Sequence, residues 1–432
     1  MGNLLSPSID PVVYLRLNLS NRRLTALPNN LKKVAERVIN LDVDNNRLTT
    51  LPEWIGTFTH LHQLNICRNQ FTTFSFLEQL SSLRRLYIRD NYLTVFPAEI
   101  SNLSNLEYLS LDGNQLTEIP SSIGNLLKLE QLVISRNQLT ALPEEIGNLG
   151  NLRDLSVYNN LLTTLPSSIG NLSRLKVLSC SMNQITTLPS SIDNLSELWF
   201  LAVSSNQLTE IPSSLGNLGK LKELLLSNNQ LTAIPSSLGN LSQLKELNIS
   251  NNHLTAIPSS LGNLLNLEVL EISHNQLTAI PSSLGNLLKL KGLYISNNYL
   301  TTIPSSLGNL LKLEQLNISH NHLTTIPSSI GNLLNLSILG VDYNELTTLP
   351  SSIGNLDSLQ KLFIDNNKLT MLPLLRENLS GIETLFIANN PLEDIPSWIK
   401  DFREPKVLGL SHDQIILFEE GIDSDNYILV RE

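Results

Sequence analysis

The sequence predicts an α/β solenoid, in which one structural unit is stacked many times along a single axis. A motif of 23 residues returns about eighteen times in the 432-residue chain, and each full copy carries seven regularly spaced aliphatic side chains. One such unit is too short to bury its apolar side chains alone, whereas stacked units bury them against their neighbours. Length by itself would suggest two or three globular domains, but a repeat array grows in one dimension as one body.

The unit at residues 221–243 shows the predicted elements in order. Leu224 and Leu226 alternate with polar neighbours, which indicates a short strand with one buried face. Pro235 suits the first turn of a short helix or 3₁₀ segment, and Gly239 suits its end. Strands of successive units then pair in parallel into a long sheet, with the helical segments on the other side. Residues 31–38 predict an amphipathic helical turn within the first repeat.

An asparagine follows the strand in each regular copy, from Asn46 to Asn390. Its side-chain amide both donates and accepts hydrogen bonds, so it can satisfy backbone groups of successive turns. Arg22 and Asp413 replace it in the outermost copies, and this indicates that the array ends there. We therefore expect a lead-in at residues 1–13, the solenoid at 14–415 and a C-terminal cap at 416–432.

The motif LxxLxLxxNxL, followed by LTxLP or LTxIP and then SSLGNL, resembles the leucine-rich-repeat family over residues 14–415. The resemblance implies a horseshoe with a parallel sheet on its concave face and short helical or 3₁₀ segments on its convex face. The 23-residue unit with its proline is similar to the intracellular Ras-suppressor-like and the bacterial, effector-like members of the family.

Composition argues against several classes of function. The net charge is −10 and charged residues make up only 16%, whereas nucleic-acid binding needs clustered Lys and Arg. No apolar run approaches the roughly 18 residues of a membrane span, and no secretory signal pattern is found at the N-terminus. Cys67 and Cys180 lie five repeats apart, beyond the reach of a disulfide. We expect a cytoplasmic protein or, for an exported effector, one that acts in the host cytoplasm.

Departures from the repeat's own consensus indicate where a partner binds. Residues that alternate with the buried leucines point to the concave face, where most copies carry Ser, Asn or Gln. One group of departures is rich in Arg, Tyr, Trp and Met, which are enriched at interface cores. It comprises Arg85, Tyr87, Arg89, Tyr108, Arg136, Tyr158, Val177, Met182, Trp199, Phe200 and Leu225. A secondary patch comprises Tyr294, Tyr343, Phe363 and Phe386; its alternative interpretation is an apolar surface shielded by the C-terminal segment 426–430.

Other reactive side chains do not predict a catalytic or metal site. Four histidines could suggest a metal site: His253, His274, His320 and His322. They occupy different positions of the repeat or lie two or more repeats apart, and no carboxylate or thiolate joins them as further ligands. They are therefore predicted to be solvated polar residues. Cys67 points to the concave face beside Arg68 and Arg89, which could lower its pKa, but no histidine accompanies it. We expect no metal, no cofactor and no catalytic residues.

The predicted function is a protein–protein interaction module, monomeric, that binds a protein partner on its concave face. One version of this hypothesis is a secreted bacterial effector that acts in a host cell. The alternative is an adaptor or recognition subunit of a signalling, ubiquitin-ligase or phosphatase complex. An enzyme would need an appended domain or a clustered acid, base and nucleophile, and the sequence shows neither.

Overall fold

The computed structural model describes residues 14–74, 77–373, 381–394, 406–411 and 427–431. The chain divides into a first unit, residues 1–185, and a second unit, residues 186–432, and each is described by itself. The predicted lead-in 1–13, Asp413 and most of the predicted cap 416–432 lie outside the described residues. The domain boundaries therefore stay predictions.

In the first unit, strands alternate with short 3₁₀ helices, one pair for each repeat. The elements are β1 (Leu15–Asn18), η1 (Asn29–Arg37), β2 (Val38–Asp42), η2 (Glu53–Thr57), β3 (Gln63–Asn65), η3 (Leu77–Gln79), β4 (Arg85–Tyr87), η4 (Ala98–Asn102), β5 (Tyr108–Ser110), η5 (Ser121–Asn125), β6 (Gln131–Val133), η6 (Glu144–Asn148), β7 (Asp154–Ser156), η7 (Ser167–Asn171) and β8 (Val177–Ser179). Helix η1 contains most of the amphipathic turn predicted at 31–38.

The second unit continues the same alternation. Its elements are η8 (Ser190–Asn194), β9 (Phe200–Ala202), η9 (Ser213–Asn217), β10 (Glu223–Leu225), η10 (Ser236–Asn240), β11 (Glu246–Asn248), η11 (Ser259–Asn263), β12 (Val269–Glu271), η12 (Ser282–Asn286), β13 (Gly292–Tyr294), η13 (Ser305–Asn309), β14 (Gln315–Asn317), η14 (Ser328–Asn332), β15 (Ile338–Gly340), η15 (Ser351–Asn355), β16 (Lys361–Phe363), β17 (Thr384–Phe386), β18 (Lys406–Leu410) and β19 (Tyr427–Arg431).

Each unit contains an open sheet in which every strand pairs in parallel with the next. Strands β1 to β8 follow one another in the first unit. Strands β9 to β19 do so in the second. The central leucines are in register, as Leu224 pairs with Leu247. The predicted fold class, an open parallel solenoid with 3₁₀ segments, is confirmed.

The core is a stack of aliphatic side chains, because each repeat contributes the same apolar positions. Leu221, Leu224, Leu226, Leu231 and Leu238 are all 0% exposed. Strand residues between the buried leucines, such as Glu223 and Leu225, are half-buried on the opposite side. We call that side the sheet face. The alternation seen in the sequence therefore does separate a core side from a sheet face.

Two details of the helical segment differ from the prediction. Pro235 lies at the N-cap of η10, one position before its first turn, and its carbonyl accepts the Leu238 N–H at 3.1 Å. Gly239 lies inside η10 rather than at its end, and it is buried. A Cβ at Gly239 would collide with the backbone carbonyl of Ser260 in the next repeat. The glycine is therefore required by close packing between repeats and does not serve as a stop signal.

The asparagine ladder is confirmed in detail. The Asn252 Nδ2 donates to the carbonyls of Leu226, Ile249 and Ser250 at 3.0–3.1 Å. Its Oδ1 accepts the Leu231 N–H of the preceding repeat at 3.0 Å. Each buried amide therefore ties two repeats together through backbone groups that would otherwise be unsatisfied. At the N-terminal end, Arg22 cannot act this way, and its N–H instead donates to Asn46 Oδ1 at 3.1 Å.

Candidate functional site

Charged residues form a network on the sheet face of the first unit, where the strands end. Arg136 donates from Nε and Nη2 to the two carboxylate oxygens of Asp112 at 3.0 and 2.7 Å, and from Nη2 to Asp90 at 3.2 Å. Arg89 also contacts Asp90 at 3.0 Å and Asp112 at 3.4 Å. Bidentate geometry fixes the guanidinium in place. The hydrogen bond with Asp112 raises the pKa of Arg136 above its usual value.

A second bidentate pair extends the network toward the N-terminus. The Arg68 guanidinium binds both carboxylate oxygens of Asp44, with its Nε 2.9 Å from Oδ1. Asp44 is largely buried while the Arg68 side chain is about half exposed. We use the name charged ladder for Asp44, Arg68, Arg89, Asp90, Asp112 and Arg136. The three arginines and three aspartates of the charged ladder cancel in formal charge. The ladder therefore gives this surface a fixed side-chain geometry rather than a net electrostatic potential.

The backbone under the charged ladder is strained. Arg68 and Arg136 have φ of 50° and 53°, in the left-handed region. Asn is the commonest residue at this position, as at Asn228 and Asn251, and Asn tolerates the left-handed region better than long side chains do. Met182 has φ 56° and is a further departure of the same kind. The same left-handed turn recurs at this position from Asn45 to Asn389, so the strain at Arg68, Arg136 and Met182 comes from the residue type rather than from a locally unusual backbone.

A pair of tyrosines adjoins the charged ladder. The rings of Tyr87 on β4 and Tyr108 on β5 lie 4.7 Å apart and are tilted by 34°. Burial, then the neighbouring Tyr87, raises the pKa of Tyr108. Arg85 is the register partner of Tyr108 and is exposed. Within the part of the chain that the structure describes, no ion pair holds Arg85, so its guanidinium remains available to a partner.

The ladder and the tyrosine pair enclose a pocket of 460 Å³. It is lined by Asp44, Asn65, Cys67, Arg68, Tyr87, Arg89, Asp90, Tyr108, Ser110, Asp112 and Val133. The expectation that Arg68 and Arg89 lower the pKa of Cys67 is wrong. Burial is the largest influence and, assisted by Asp44, raises the pKa to about 11 despite the opposing Arg89. Cys67 is therefore a poor nucleophile in this pocket.

The structure brings most of the predicted first-unit residues together. Tyr87, Arg89 and Tyr108 line the pocket. Arg85 lines a neighbouring pocket that shares Tyr87 and Tyr108, and Arg136 is ion-paired with Asp112, which lines the first. Tyr158 follows directly, because its carbonyl accepts the Arg136 N–H at 2.8 Å. Val177 lies half-buried on β8, and Met182 is 45% exposed in the turn beyond it. These eight residues share the sheet face of one unit, and with the charged ladder we call them the first-unit surface.

The remaining three residues of the predicted group belong to the second unit. Trp199 and Phe200 are half-buried, and their rings lie 5.9 Å apart in an edge-to-face arrangement. Leu225 on β10 pairs in register with Ala202 on β9, the strand that carries Phe200. These residues form an apolar cluster on the sheet face of the second unit.

The secondary patch divides into separate groups. Phe363 on β16 stacks on Phe386 on β17, with ring centroids 5.4 Å apart. The Tyr294 hydroxyl donates to Gln315 Oε1, and Tyr343 lies in the turn after β15. The alternative, that the C-terminal segment 426–430 shields this patch, stays a prediction; β19 pairs in parallel with β18. Asn426 lies outside the described residues.

His320 and His322 are exposed, as predicted, and each also stacks on a tyrosine. His320 stacks on Tyr343 at 4.1 Å, and His322 stacks on Tyr299 at 6.0 Å, both with planes 8° apart. The sequence contains a signal for this stacking, because each histidine occupies the same repeat position as its tyrosine, one repeat away. The residues surround a groove of 580 Å³ in the second unit.

No group of three or more His, Cys, Asp or Glu that could hold a metal ion occurs among the residues with described positions. In the same part of the chain, none of the helices has the length and apolar character needed to cross a membrane.

An open parallel solenoid with a structured sheet face defines the class of repeat scaffolds that support protein–protein interaction. A family model for a leucine-rich-repeat region matches residues 65–161, 144–250 and 226–321, and a single-repeat model matches 312–333. The chain belongs to the leucine-rich-repeat family.

Solved structures agree with this assignment. A leucine-rich-repeat protein of Leptospira interrogans, LIC12759, is 37% identical with a TM-score of 0.79, covering 87% of this chain and 96% of that one. A TDR receptor is 31% identical with a TM-score of 0.77, covering 88% and 68%. The internalin InlF of Listeria monocytogenes is 29% identical with a TM-score of 0.63, covering 72% and 89%.

A curated relative is matched over a shorter stretch. An uncharacterized leucine-rich-repeat protein of Schizosaccharomyces pombe is 35% identical over 113 residues. The match covers 21% of this chain and 18% of that protein, so this chain spans less than a fifth of its length.

Proposed function

We propose that this chain is a protein-interaction module whose principal contact area is the first-unit surface. The observation that carries this proposal is the conversion of the left-handed turn position from Asn to the ion-paired Arg68 and Arg136. These substitutions cost backbone strain of about 1 kcal/mol or more each. Arg68 and Arg136 lie in the same unit as the Tyr87–Tyr108 pair, and both belong to the charged ladder.

The chemistry of this surface suits a folded protein partner that presents both an acidic and an apolar group. The exposed Arg85 side chain can form an ion pair with a carboxylate of the partner, and the tyrosine pair beside it can contact an apolar group. Arg and Tyr are enriched among residues that dominate binding energy. Because Asp112 already holds Arg89 and Arg136 in place, binding needs little further side-chain ordering.

Consensus substitutions test the surface without endangering the fold. Arg136→Asn, Tyr108→Gln and Tyr158→Ser each install the residue that another repeat carries at the same position. The partner is first captured with the wild-type chain by proximity labelling, then purified for titration. We expect at least a tenfold loss of affinity for the triple variant, with unfolding temperature unchanged or raised. The matched control Asn228→Ser, which copies Ser205, leaves affinity intact. Equal affinity of the triple variant and wild type contradicts the proposal.

The apolar cluster of the second unit is proposed as a supporting contact. Trp199 and Phe200 offer a half-buried aromatic pair, and aromatic anchors contribute strongly to interfaces. The double variant Trp199→Ala and Phe200→Ala weakens capture of the same partner if this cluster takes part. Unchanged capture with unchanged folding limits the interface to the first unit.

The finer role we propose is that of an exported bacterial protein that acts in the cytoplasm of a host cell. The 37% identity to a Leptospira interrogans protein and the two free cysteines support it. The acidic residues near the C-terminus, Glu419, Glu420, Asp423 and Asp425, are the candidate export signal. Their conversion to the corresponding amides tests it. Amide substitutions are used because a deletion of the last fifteen residues would also remove β19, which pairs with β18. Unchanged transfer of a reporter into host cells rules out that signal.

A further inference from the structure

A row of exposed leucines runs along the second unit, in the turn that follows each 3₁₀ helix. Four consecutive repeats contribute one leucine each at the same repeat position, with side chains 54–59% exposed: Leu265, Leu288, Leu311 and Leu334. We call this row the leucine stripe. Each of its residues donates its N–H to the carbonyl of the asparagine two positions earlier, at 2.8–3.0 Å. The turn is therefore the same in all four repeats, and the leucines project from equivalent points.

The fold does not require leucine at this repeat position. Other repeats carry glycine or serine there, as at Gly150, Gly219 and Ser242. A Cβ added to Gly150 or Gly219 would meet no atom within 4 Å, so a side chain at this position extends into open space. Contiguous apolar side chains that face solvent indicate a contact surface. The leucine stripe is therefore explained by binding rather than by packing within the fold.

The segments that carry the leucine stripe contain no Asp or Glu, although the net charge of the chain is −10. Each segment runs from a threonine before the 3₁₀ helix to the residue after the stripe leucine: 255–266, 278–289, 301–312 and 324–335. Many equivalent segments elsewhere do contain acidic residues, such as Glu144 and Glu145 in residues 140–151. In the repeat that follows Leu334, Asp357 occupies the leucine position. Exposed leucine and the lack of acidic residues therefore occur together.

Two lysines give this surface a positive charge. Lys289 and Lys312 directly follow stripe leucines, and both are exposed. The Lys289 Nζ donates to the uncharged amide of Asn266 at 2.6 Å, so this contact does not neutralise it. The acidic residues nearest along the chain, Glu268 and Glu314, immediately precede strands β12 and β14, and Glu268 is ion-paired with two other lysines. The two lysines therefore suit an anionic partner.

The shape of the stripe favours a flat partner. It is one leucine wide, because polar residues stand two positions before each leucine and directly after it. A helix of another protein needs a hydrophobic groove for its apolar face, and a single row with open space beside it provides none. A pocket of 430 Å³ at the Leu334 end is otherwise lined by glycine, asparagine and Asp357. A lipid bilayer, in contrast, accepts separate apolar side chains between its headgroups.

We propose that the leucine stripe docks this protein on the surface of a lipid bilayer that contains anionic lipids. The four leucine side chains insert at the boundary between headgroups and acyl chains, and Lys289 and Lys312 approach the anionic headgroups. Apolar area and basic side chains together determine how strongly such surfaces bind membranes. A carboxylate in these segments would be repelled by the headgroups, which accounts for the lack of acidic residues. The stripe lies in the second unit and is a binding site additional to the first-unit surface.

The test uses the full chain and two sets of vesicles, one of phosphatidylcholine alone and one of phosphatidylcholine and phosphatidylserine in equal parts. Flotation in a density gradient measures the fraction of protein bound. We expect at least tenfold tighter binding to the vesicles with phosphatidylserine, and this preference should decline as salt is added. Equal binding to the two sets, or binding to neither, overturns the proposal.

Consensus variants locate the contact. The double variant Leu288→Ser and Leu311→Ser installs the residue that Ser242 provides at the same repeat position. It should weaken vesicle binding at least tenfold, with an unchanged unfolding temperature because the position is open. Leu127→Ser is the matched control. Leu127 is 59% exposed at the same repeat position and is followed by a lysine, but the adjacent repeats carry Ser104 and Gly150 there. The control should bind vesicles as wild type does.

The double variant Lys289→Asn and Lys312→Asn copies Asn266 and Asn335 and isolates the contribution of charge. It should remove most of the preference for phosphatidylserine while leaving the weaker binding to phosphatidylcholine unchanged.

Sedimentation of the wild-type chain without lipid tests a second copy of the chain as the partner. A dimer that the double leucine variant dissociates, combined with no vesicle binding, assigns the stripe to self-association and overturns the proposal. Equal vesicle binding by wild type and the double leucine variant also overturns it. Neither result bears on the first-unit surface, which has its own test.

Discussion

At the scale of single residues, the ladder asparagine shows why one side chain recurs in this chain. Asn252 donates to three backbone carbonyls and accepts one N–H from the preceding repeat. Neither Leu nor Ala can replace these bonds, and a buried unpaired polar group costs about 1–3 kcal/mol. The residue is therefore fixed by backbone groups rather than by packing.

We expect Asn252→Ala to lower the free energy of unfolding by roughly 2–4 kcal/mol, since several buried backbone groups lose their partner at once. Urea denaturation followed by circular dichroism measures the change. The neighbouring substitution Asn251→Ser installs the residue that Ser205 provides at the same repeat position. It should lower the free energy of unfolding by less than about 1 kcal/mol. A loss for Asn252→Ala no larger than that of Asn251→Ser would contradict the structural role of the ladder.

Cys67 gives a prediction about pH. Its pKa is raised from 9.0 to about 11, mainly by burial, so the folded chain holds the thiol proton more tightly than the unfolded chain does. The stability from this difference is fully present below pH 9 and is lost as the pH rises toward 11. The stability of wild type relative to Cys67→Ser should decline over this interval, as urea midpoints at several pH values would show. At pH 8, alkylation of Cys67 should be about 100-fold slower than that of a free thiol. Alkylation as fast as the free thiol would show that burial does not control Cys67.

At the scale of elements, most 3₁₀ segments carry a glycine where they pack closely against the next repeat, although η4 carries Ser101 and η8 carries Asp193 at this position. Gly239 in η10 faces the Ser260 carbonyl, and Gly262 in η11 faces the Ser283 carbonyl in the same way. The regular spacing of these segments sets how near the repeats approach one another on the side opposite the sheet face.

Gly239→Ala should lower the free energy of unfolding by about 1–3 kcal/mol, because the added methyl meets backbone that cannot move aside cheaply. Gly219→Ala is the matched control, since nothing lies within 4 Å of its added Cβ. The control should be neutral or slightly stabilising, because alanine restricts the unfolded chain. Thermal denaturation of the two variants side by side makes the comparison. Equal unfolding temperatures would mean that close approach between repeats does not require glycine.

At the scale of the whole molecule, repeats in the second unit are interchangeable in their contacts. The Leu208 N–H donates to Asn229 Oδ1 at 3.0 Å, and Leu231 donates to Asn252 in the same way. Stability in such arrays is a sum of repeat and neighbour contributions rather than the property of one central core.

Removal of residues 221–243 should therefore leave a shorter chain that folds with the same circular dichroism spectrum. The deletion joins equivalent positions, so Leu208 would donate to Asn252 instead of Asn229. Removal of 221–232 is the control, since it breaks the 23-residue frame and should cause aggregation or loss of cooperative unfolding. If the variant that lacks residues 221–243 fails to fold, the repeats are not interchangeable.

The sequence by itself determined the repeat, the strand and helical positions, the buried leucines and the ladder asparagine. These follow from a period of 23 residues and an alternation of two, which are local patterns that every copy restates. It also pointed to the arginines and tyrosines of the first-unit surface, because departures are easy to see against a regular background. Tyr87 and Tyr108 could be placed on adjacent strands from the repeat alone.

Only the tertiary structure decided which of these residues act together. The bidentate pairing of Arg136 with Asp112, the burial that raises the pKa of Cys67, and the stacking of His320 on Tyr343 depend on distances between side chains of different repeats. Residues at equivalent positions of adjacent repeats must be neighbours. Their side-chain rotamers decide whether they stack, pair or point apart. For the same reason Gly239 reads in sequence as a helix end, whereas contact with Ser260 makes it a packing requirement.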